Sequence, residues 1–168
     1  MPHLDPHESL GFHCSLTFRA FMRAVEAKLK GTGVSPAQFL ALAHLIALGP
    51  LSQSELVDRL SITAATGVRL IDRMERDGWV KRQPSPEDAR IKLVTPTRRS
   101  AEVWEKVSRA GRVVLDQAYK GVHPAEIETV KRVLERVRRN LGLNFFPILV
   151  SLLIYFEEKE VKNGNRII

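Results

Sequence analysis

The chain has 168 residues, a length typical of one domain, and its 44% hydrophobic and 27% charged residues are typical of a globular protein. Its single cysteine, Cys14, excludes an internal disulfide and any CxxC motif, and it favours a reducing compartment, so we expect a cytoplasmic protein. The longest apolar stretch, residues 145–156, is shorter than the roughly 20 residues of a membrane span, and no membrane partner is expected. The net charge of +7 favours a polyanionic partner, most commonly nucleic acid.

Hydrophobic spacing and capping signals predict four helices in the first half of the chain. Apolar residues three and four apart predict the first helix over residues 10–30, and an N-cap serine, a proline and a capping-box glutamine predict the second over residues 35–48. Ser52 and Glu55 form another capping box that opens a short third helix. After a tight connection, Thr63 is expected to cap a fourth helix. Two short helices joined in this way are the helix-turn-helix pattern.

A β-hairpin is predicted directly after the fourth helix. Residues 79–83 favour a strand, residues 84–88 favour a turn, and residues 91–95 alternate between apolar and polar or β-branched side chains. A hairpin in this place is a wing. The predicted fold class is therefore mainly α with a small β-hairpin wing, a winged helix-turn-helix lobe joined to a helical region.

Long helices are predicted after the wing, over residues 97–119 and 124–141. A further helix is expected within residues 144–162, packed on the helical region, with a frayed end. The predicted organisation is, in chain order, an N-terminal segment with the first helix over residues 1–34, the winged helix-turn-helix lobe over 35–96, two C-terminal helices over 97–143 and the extra helix and tail over 144–168.

An ordered series of residues resembles the signature of the MarR-type winged helix regulators. The series is Asp72-x-x-Glu75-x-x-Gly78-Trp79-Val80-x-Arg82, then Asp88-x-Arg90, then Val94-x-x-Thr97. The resemblance implies a homodimer built from the first and the last two helices, a double-stranded DNA operator of pseudo-palindromic sequence and an effector pocket where lobe and dimer region meet. We expect a repressor that responds to a small aromatic effector. Pro96 and Ser100 depart from the family pattern at the entry to the fifth helix.

The chemistry of DNA reading fits the fourth helix and the wing. The helix N-terminus suits phosphate contact, and Arg69 is expected to contact a guanine edge or a phosphate. Arg90 suits a narrow minor groove, with Asp88 orienting it through a charge-assisted hydrogen bond. The residues predicted to bind DNA are Thr63, Ala64, Ala65, Thr66, Arg69, Arg73, Lys81, Arg82, Asp88, Arg90 and Lys92.

The basic residues among these also have a structural interpretation, in which any of Lys81, Arg82 and Lys92 would be plain solvated surface. Arg69 and Arg73 would be solvent-facing partners of Asp72 and Asp77, and Arg90 would form a surface ion pair that only stabilises its turn. The alternative function is a protein-interaction module, a winged helix whose face binds protein partners and not DNA.

Effector and redox sites have weaker signals. Phe21, Phe39 and Trp104 are the candidate lining of the effector pocket, although core packing is the favoured explanation for each of them taken singly. Part of the family senses peroxide with a cysteine near the start of its first helix. Cys14 lies about one turn later than that cysteine, so an inert thiol is favoured over a redox sensor.

No signal for catalysis or for a cofactor is found. The chain lacks the GxSxG, phosphate-loop, HExxH and dinucleotide motifs, so we expect no enzyme and no cofactor. His3 and His7 have helical spacing, but Pro2 and Pro6 argue against a continuous helix there, and no metal site is predicted.

Overall fold

The computed structural model describes residues 5–142, which form helices and three short strands. The predicted helices are confirmed to within a residue or two, and the mainly α class is confirmed with them. The predicted helix within residues 144–162 lies outside the described residues. The elements are a 3-10 turn at Pro6–Glu8, α1 Leu10–Leu29, α2 Pro36–Leu48, β1 Leu51–Ser52, α3 Gln53–Leu60, α4 Ala64–Arg76, β2 Val80–Pro84, β3 Lys92–Pro96, α5 Arg98–Ala118 and α6 Pro124–Asn140.

Side-chain caps explain why the helices begin where the sequence predicts. The Ser35 hydroxyl accepts from the Gln38 backbone N–H at 3.3 Å, and the Gln38 side chain accepts from the Ser35 backbone N–H at 2.9 Å. Ser52 and Glu55 repeat this capping box at the start of α3. Each box satisfies two backbone donors that a helix start otherwise leaves without partners.

The wing sheet has one strand more than the predicted hairpin. Its order is β1-β3-β2, all antiparallel, with Leu51 opposite Val94 and Ser52 opposite Leu93. The prediction of a two-stranded wing was incomplete because β1 has only two residues, too few for an alternating pattern to show. This short strand joins the α2–α3 connection to the base of the wing.

The core of the lobe is formed by α2, α3, α4, the sheet and α5. Leu42, Leu45, Leu56, Ile71, Met74, Val80, Val94 and Trp104 are among its fully buried side chains. None of the helices within residues 5–142 is long and apolar enough to cross a membrane.

The start of α5 is well formed despite Pro96 and Ser100. The Thr97 hydroxyl donates to the carbonyl of Gly78 at 2.8 Å, and the Ser100 backbone N–H approaches the same hydroxyl at 3.3 Å. The buried Ser100 hydroxyl donates to the Thr97 carbonyl at 2.6 Å. The two departures therefore leave a capped helix start that is tied to the turn before the wing.

A buried histidine should make the stability of the lobe depend on pH. Burial, and then the charge of Arg59, lower the pKa of His44 from 6.5 to about 4. Between these values the unfolded chain binds a proton that the folded protein does not, so stability falls as the pH falls through this window. As the pH is lowered through this window, we expect His44 to reduce the free energy of unfolding by about 3 kcal/mol. Urea unfolding at several pH values measures this change.

His44→Leu is the comparison for this effect, because leucine has a similar volume and does not titrate. Its free energy of unfolding should decline less than that of the parent over the same pH range. Parallel curves for the two proteins would contradict the assignment of the pH dependence to His44.

Candidate DNA-binding interface

A close approach between α3 and α4 sets the angle of the helix-turn-helix. Ser61 has a left-handed backbone (φ 52°), and the Ile62 N–H bonds back to the carbonyl of Val57 at 3.4 Å. Gly67 of α4 is buried against Val57 of α3, so close that a Cβ at this position would lie 2.1 Å from Val57 Cγ2. The two helices therefore meet in a way that requires glycine at this position.

The exposed side of α4 begins with small side chains. Thr63 caps the helix: its hydroxyl lies 3.3 Å from the Thr66 N–H and 2.9 Å from the Thr66 hydroxyl. Ala64 and Ala65 follow, both exposed, and the arginines come one and two turns later. Val68 is also exposed. Small side chains at this N-terminus leave its backbone amides accessible to an anion.

The wing tip is a turn held by Asp88. Its carboxylate accepts from the backbone N–H of Arg90 at 2.9 Å, and its carbonyl accepts from the Ile91 N–H at 2.9 Å. Within the described residues, the Arg90 guanidinium does not form the predicted hydrogen bond to Asp88. Asp88 therefore shapes the turn, and Arg90 extends from it, exposed.

Several cations around α4 and the wing have no partner within residues 5–142. The alternative pairings of Arg69 and Arg73 are not formed, because Asp72 pairs with Arg82 and Asp77 with Arg76. Within α4 and the wing, the exposed cations whose side chains have no hydrogen bond or ion pair to the described residues are Arg69, Arg73, Lys81, Arg90 and Lys92.

Arg82 differs from the other predicted DNA contacts. Its guanidinium donates to Asp72, to Glu75 and to Gln53, and its side chain is only 22% exposed. The sequence analysis placed Arg82 among the residues predicted to bind DNA and missed its three partners. Asp72 and Glu75 are three residues apart and lie on the same face of one helix. This spacing, together with a basic residue in the next strand, is the sequence signal that could have predicted the ion pairs of Arg82.

The electrostatics of this cluster follow from its hydrogen bonds. The Arg82 backbone N–H accounts most for holding the pKa of Glu75 below its usual value, and the guanidinium adds to it. Burial lowers the pKa of Arg82, but the bonds to Asp72 and Glu75 outweigh burial and leave it raised. Glu75 and Arg82 therefore remain charged in the folded protein.

A separate apolar cavity of about 820 Å³ lies between α1, the end of α5 and α6. Phe21 lines it together with Cys14, Phe18, Tyr119 and Val130. Phe39 and Trp104 line no part of it; they are buried in the lobe with their rings 5.4 Å apart. The structure therefore does not bring these two residues together with Phe21 in this cavity, because both side chains pack in the core of the lobe.

No metal centre forms in the described part of the chain, where no three His, Cys, Asp or Glu side chains converge. His13 instead bonds through Nε2 to the carbonyl of His7 at 2.8 Å. His3 lies outside the described residues.

The α3–turn–α4 unit followed by a sheet with a basic hairpin defines a winged helix-turn-helix, a class of DNA-binding protein. A family model described as MarR family matches residues 32–91. The chain is 30% identical over 111 residues to YdgJ of Bacillus subtilis, an uncharacterised HTH-type transcriptional regulator, covering 66% of this chain and 68% of YdgJ. It is 28% identical over 121 residues to the HTH-type transcriptional repressor IacR of Pseudomonas putida, covering 72% of each.

A solved structure supports the same assignment. A mutant of Escherichia coli MarR complexed with operator DNA superimposes with a TM-score of 0.65 and 26% identity, covering 76% of this chain and 92% of that one. This chain belongs to the MarR family. It is a DNA-binding transcriptional regulator rather than an enzyme.

Proposed function

We propose that this protein is a homodimeric repressor that binds a pseudo-palindromic operator in the cytoplasm and responds to a small effector. The observation that carries DNA binding is the set of exposed cations without protein partners on α4 and the wing. Basic side chains that pair with no carboxylate of the described protein are available for phosphates. IacR, which is named a repressor, supports repression as the direction of regulation.

A second copy of the chain accounts for the apolar surface of α1 and α6. No residue of α6 is buried. Its apolar residues follow one another at alternating intervals of three and four residues, through to the C-cap: Ile127, Val130, Leu134, Val137 and Leu141. This spacing forms one stripe, as in helices that pack against a partner helix. Leu10, Leu16 and Phe18 of α1 are exposed as well. A two-fold dimer that buries both surfaces is the simplest arrangement.

The dimer would present two copies of α4 to successive major grooves. Half-sites are then expected about 10 bp apart, with the N-terminal residues of α4 near bases and phosphates. Arg69 would contact a guanine edge or a phosphate, and Arg73, Lys81 and Lys92 would contact phosphates. Arg90 would enter the flanking minor groove, where the potential is most negative.

An effector would act by binding one spacing of the two lobes better than the other. Phe21 supports a site for an aromatic compound near the cavity between α1, α5 and α6, and its ring lies 6.2 Å from that of Tyr119. A dimer would cover part of this cavity. The effector would then bind in the part of the cavity that stays open to solvent.

Arg90→Ala tests the DNA-binding proposal. We expect operator affinity to fall about tenfold, because a charge near the phosphates is lost. The dependence of log affinity on log salt should flatten by about 1.8, since a dimer carries two copies of Arg90 and each phosphate contact contributes about 0.9. The measurement is fluorescence anisotropy over a salt titration, on an operator selected from random duplexes.

Arg109→Ala is the matched control, because it removes one exposed arginine from α5, outside α4 and the wing. It should leave affinity and salt dependence close to those of the parent. If Arg90→Ala binds as tightly as the parent at every salt concentration, the wing does not contact DNA, and the interaction-module alternative gains support.

A further inference from the structure

Arg82 occupies a position between the recognition helix and the wing. From β2 its Nη2 reaches Asp72 Oδ1 at 2.6 Å and its Nη1 reaches Glu75 Oε2 at 2.5 Å, both on α4. Its Nε donates to Gln53 Oε1 of α3 at 3.3 Å. All three nitrogens of the guanidinium therefore have acceptors within the lobe.

The two carboxylates lie on the helix that would face DNA. Asp72 is 57% exposed and Glu75 39% exposed, and Asp72 lies between Arg69 and Arg73 in sequence. Without a counter-charge, these carboxylates would repel phosphates beside the arginines proposed to contact DNA. One guanidinium shared by both reduces that repulsion and directs the carboxylates toward the wing.

We propose that Arg82 is a positioning residue for DNA binding, which acts by neutralising and orienting Asp72 and Glu75 and does not itself contact phosphate. This inference rests on the DNA-binding function proposed above. It separates Arg82 from its neighbour Lys81, which is exposed and has no partner within residues 5–142.

A second bond makes the proposal testable without displacing the wing. The backbone N–H of Arg82 donates to Glu75 Oε1 at 2.9 Å, and this bond does not depend on the guanidinium. A glutamine at position 75 keeps an oxygen that accepts the same bond. Substitutions at 72, 75 and 82 therefore remove charges while the tie between β2 and α4 is retained.

The experiment is a cycle of four full-length proteins: the parent, Arg82→Gln, the double variant Asp72→Asn/Glu75→Gln, and the triple variant. The probe is a random-sequence DNA duplex, and affinity is measured over a salt titration. We expect Arg82→Gln to lower DNA affinity about tenfold in the parent and less than about twofold when the carboxylates are already neutral. The effect of losing Arg82 is coupled to the charges on Asp72 and Glu75. In the neutral background its salt slope should be unchanged.

Lys81→Gln is the matched control, made in the same two backgrounds. It should cost a similar factor in both and flatten the salt slope by about 1.8 in each, as expected for a direct phosphate contact in a dimer. If Arg82→Gln behaves like Lys81→Gln, Arg82 contacts phosphate and the inference is overturned. If its loss is equal in both backgrounds with an unchanged slope, its role is confined to the architecture of the lobe, which also overturns the inference.

Arg82→Lys covers the case in which Arg82→Gln does not fold, which circular dichroism would show. Lysine keeps the positive charge that neutralises the carboxylates but loses the three-way geometry, so we expect a smaller loss of affinity than for Arg82→Gln. A tenfold loss for a folded Arg82→Lys would overturn charge neutralisation. If the parent itself shows no salt-dependent binding to duplex DNA, the proposed function fails before the inference is reached.

Discussion

Gly67→Ala should lower the free energy of unfolding by about 3 kcal/mol, as expected for overpacking a tight contact. The added methyl would lie 2.1 Å from Val57 Cγ2. Valine is stiff at χ1, so its methyl group cannot easily turn away. The helix-propensity gain of about 1 kcal/mol on replacing glycine offsets only part of this cost. Urea unfolding followed by circular dichroism measures the change.

Two comparisons separate the steric cause from a general effect of substitution. Gly11→Ala on α1 places its Cβ 3.7 Å from the nearest atom, so this variant should be neutral or slightly more stable. Val57→Ala combined with Gly67→Ala should recover much of the lost stability, because it removes the atoms that clash. Additive losses in the double variant would refute the assignment of the cost to this contact.

Val130→Glu should dissociate the proposed dimer. Val130 is 55% exposed in the single chain and lies in the middle of the apolar stripe of α6. In a two-fold dimer each substitution introduces two charges into apolar contacts, and burying an unpaired charge is costly. We expect the dimer dissociation constant to rise by at least about 100-fold. Light scattering across a protein dilution series measures the oligomeric state.

Arg132→Glu is the control on the same helix, because the α-helical repeat places position 132 roughly opposite the stripe. It is exposed and should leave the dimer intact. A parent protein that is a stable, folded monomer at micromolar concentration would contradict the dimer itself. A Val130→Glu variant that remains as dimeric as Arg132→Glu would instead show that another surface forms the interface.

The sequence by itself determined the local structure of this protein. Capping boxes at Ser35 and Ser52, a threonine cap at Thr63 and the glycine after α2 specify helix ends through bonds within three or four residues. The order of short helices, turn and hairpin then indicated a winged helix-turn-helix. These features can be predicted because the interacting groups are neighbours in the chain.

Only the tertiary structure decided which side chains remain free of contacts within the protein and are therefore available to a ligand. Arg82 and Arg90 are both wing arginines that the sequence predicts to bind DNA. The Arg82 guanidinium is bound by carboxylates ten and seven residues earlier, whereas the Arg90 guanidinium has no partner in the described chain. Phe39 and Trp104 are drawn into one core, while Phe21 lines a cavity. β1 exists only because β3 lies beside it. Such outcomes depend on contacts between distant segments, which form when elements pack and leave no periodic pattern in the sequence.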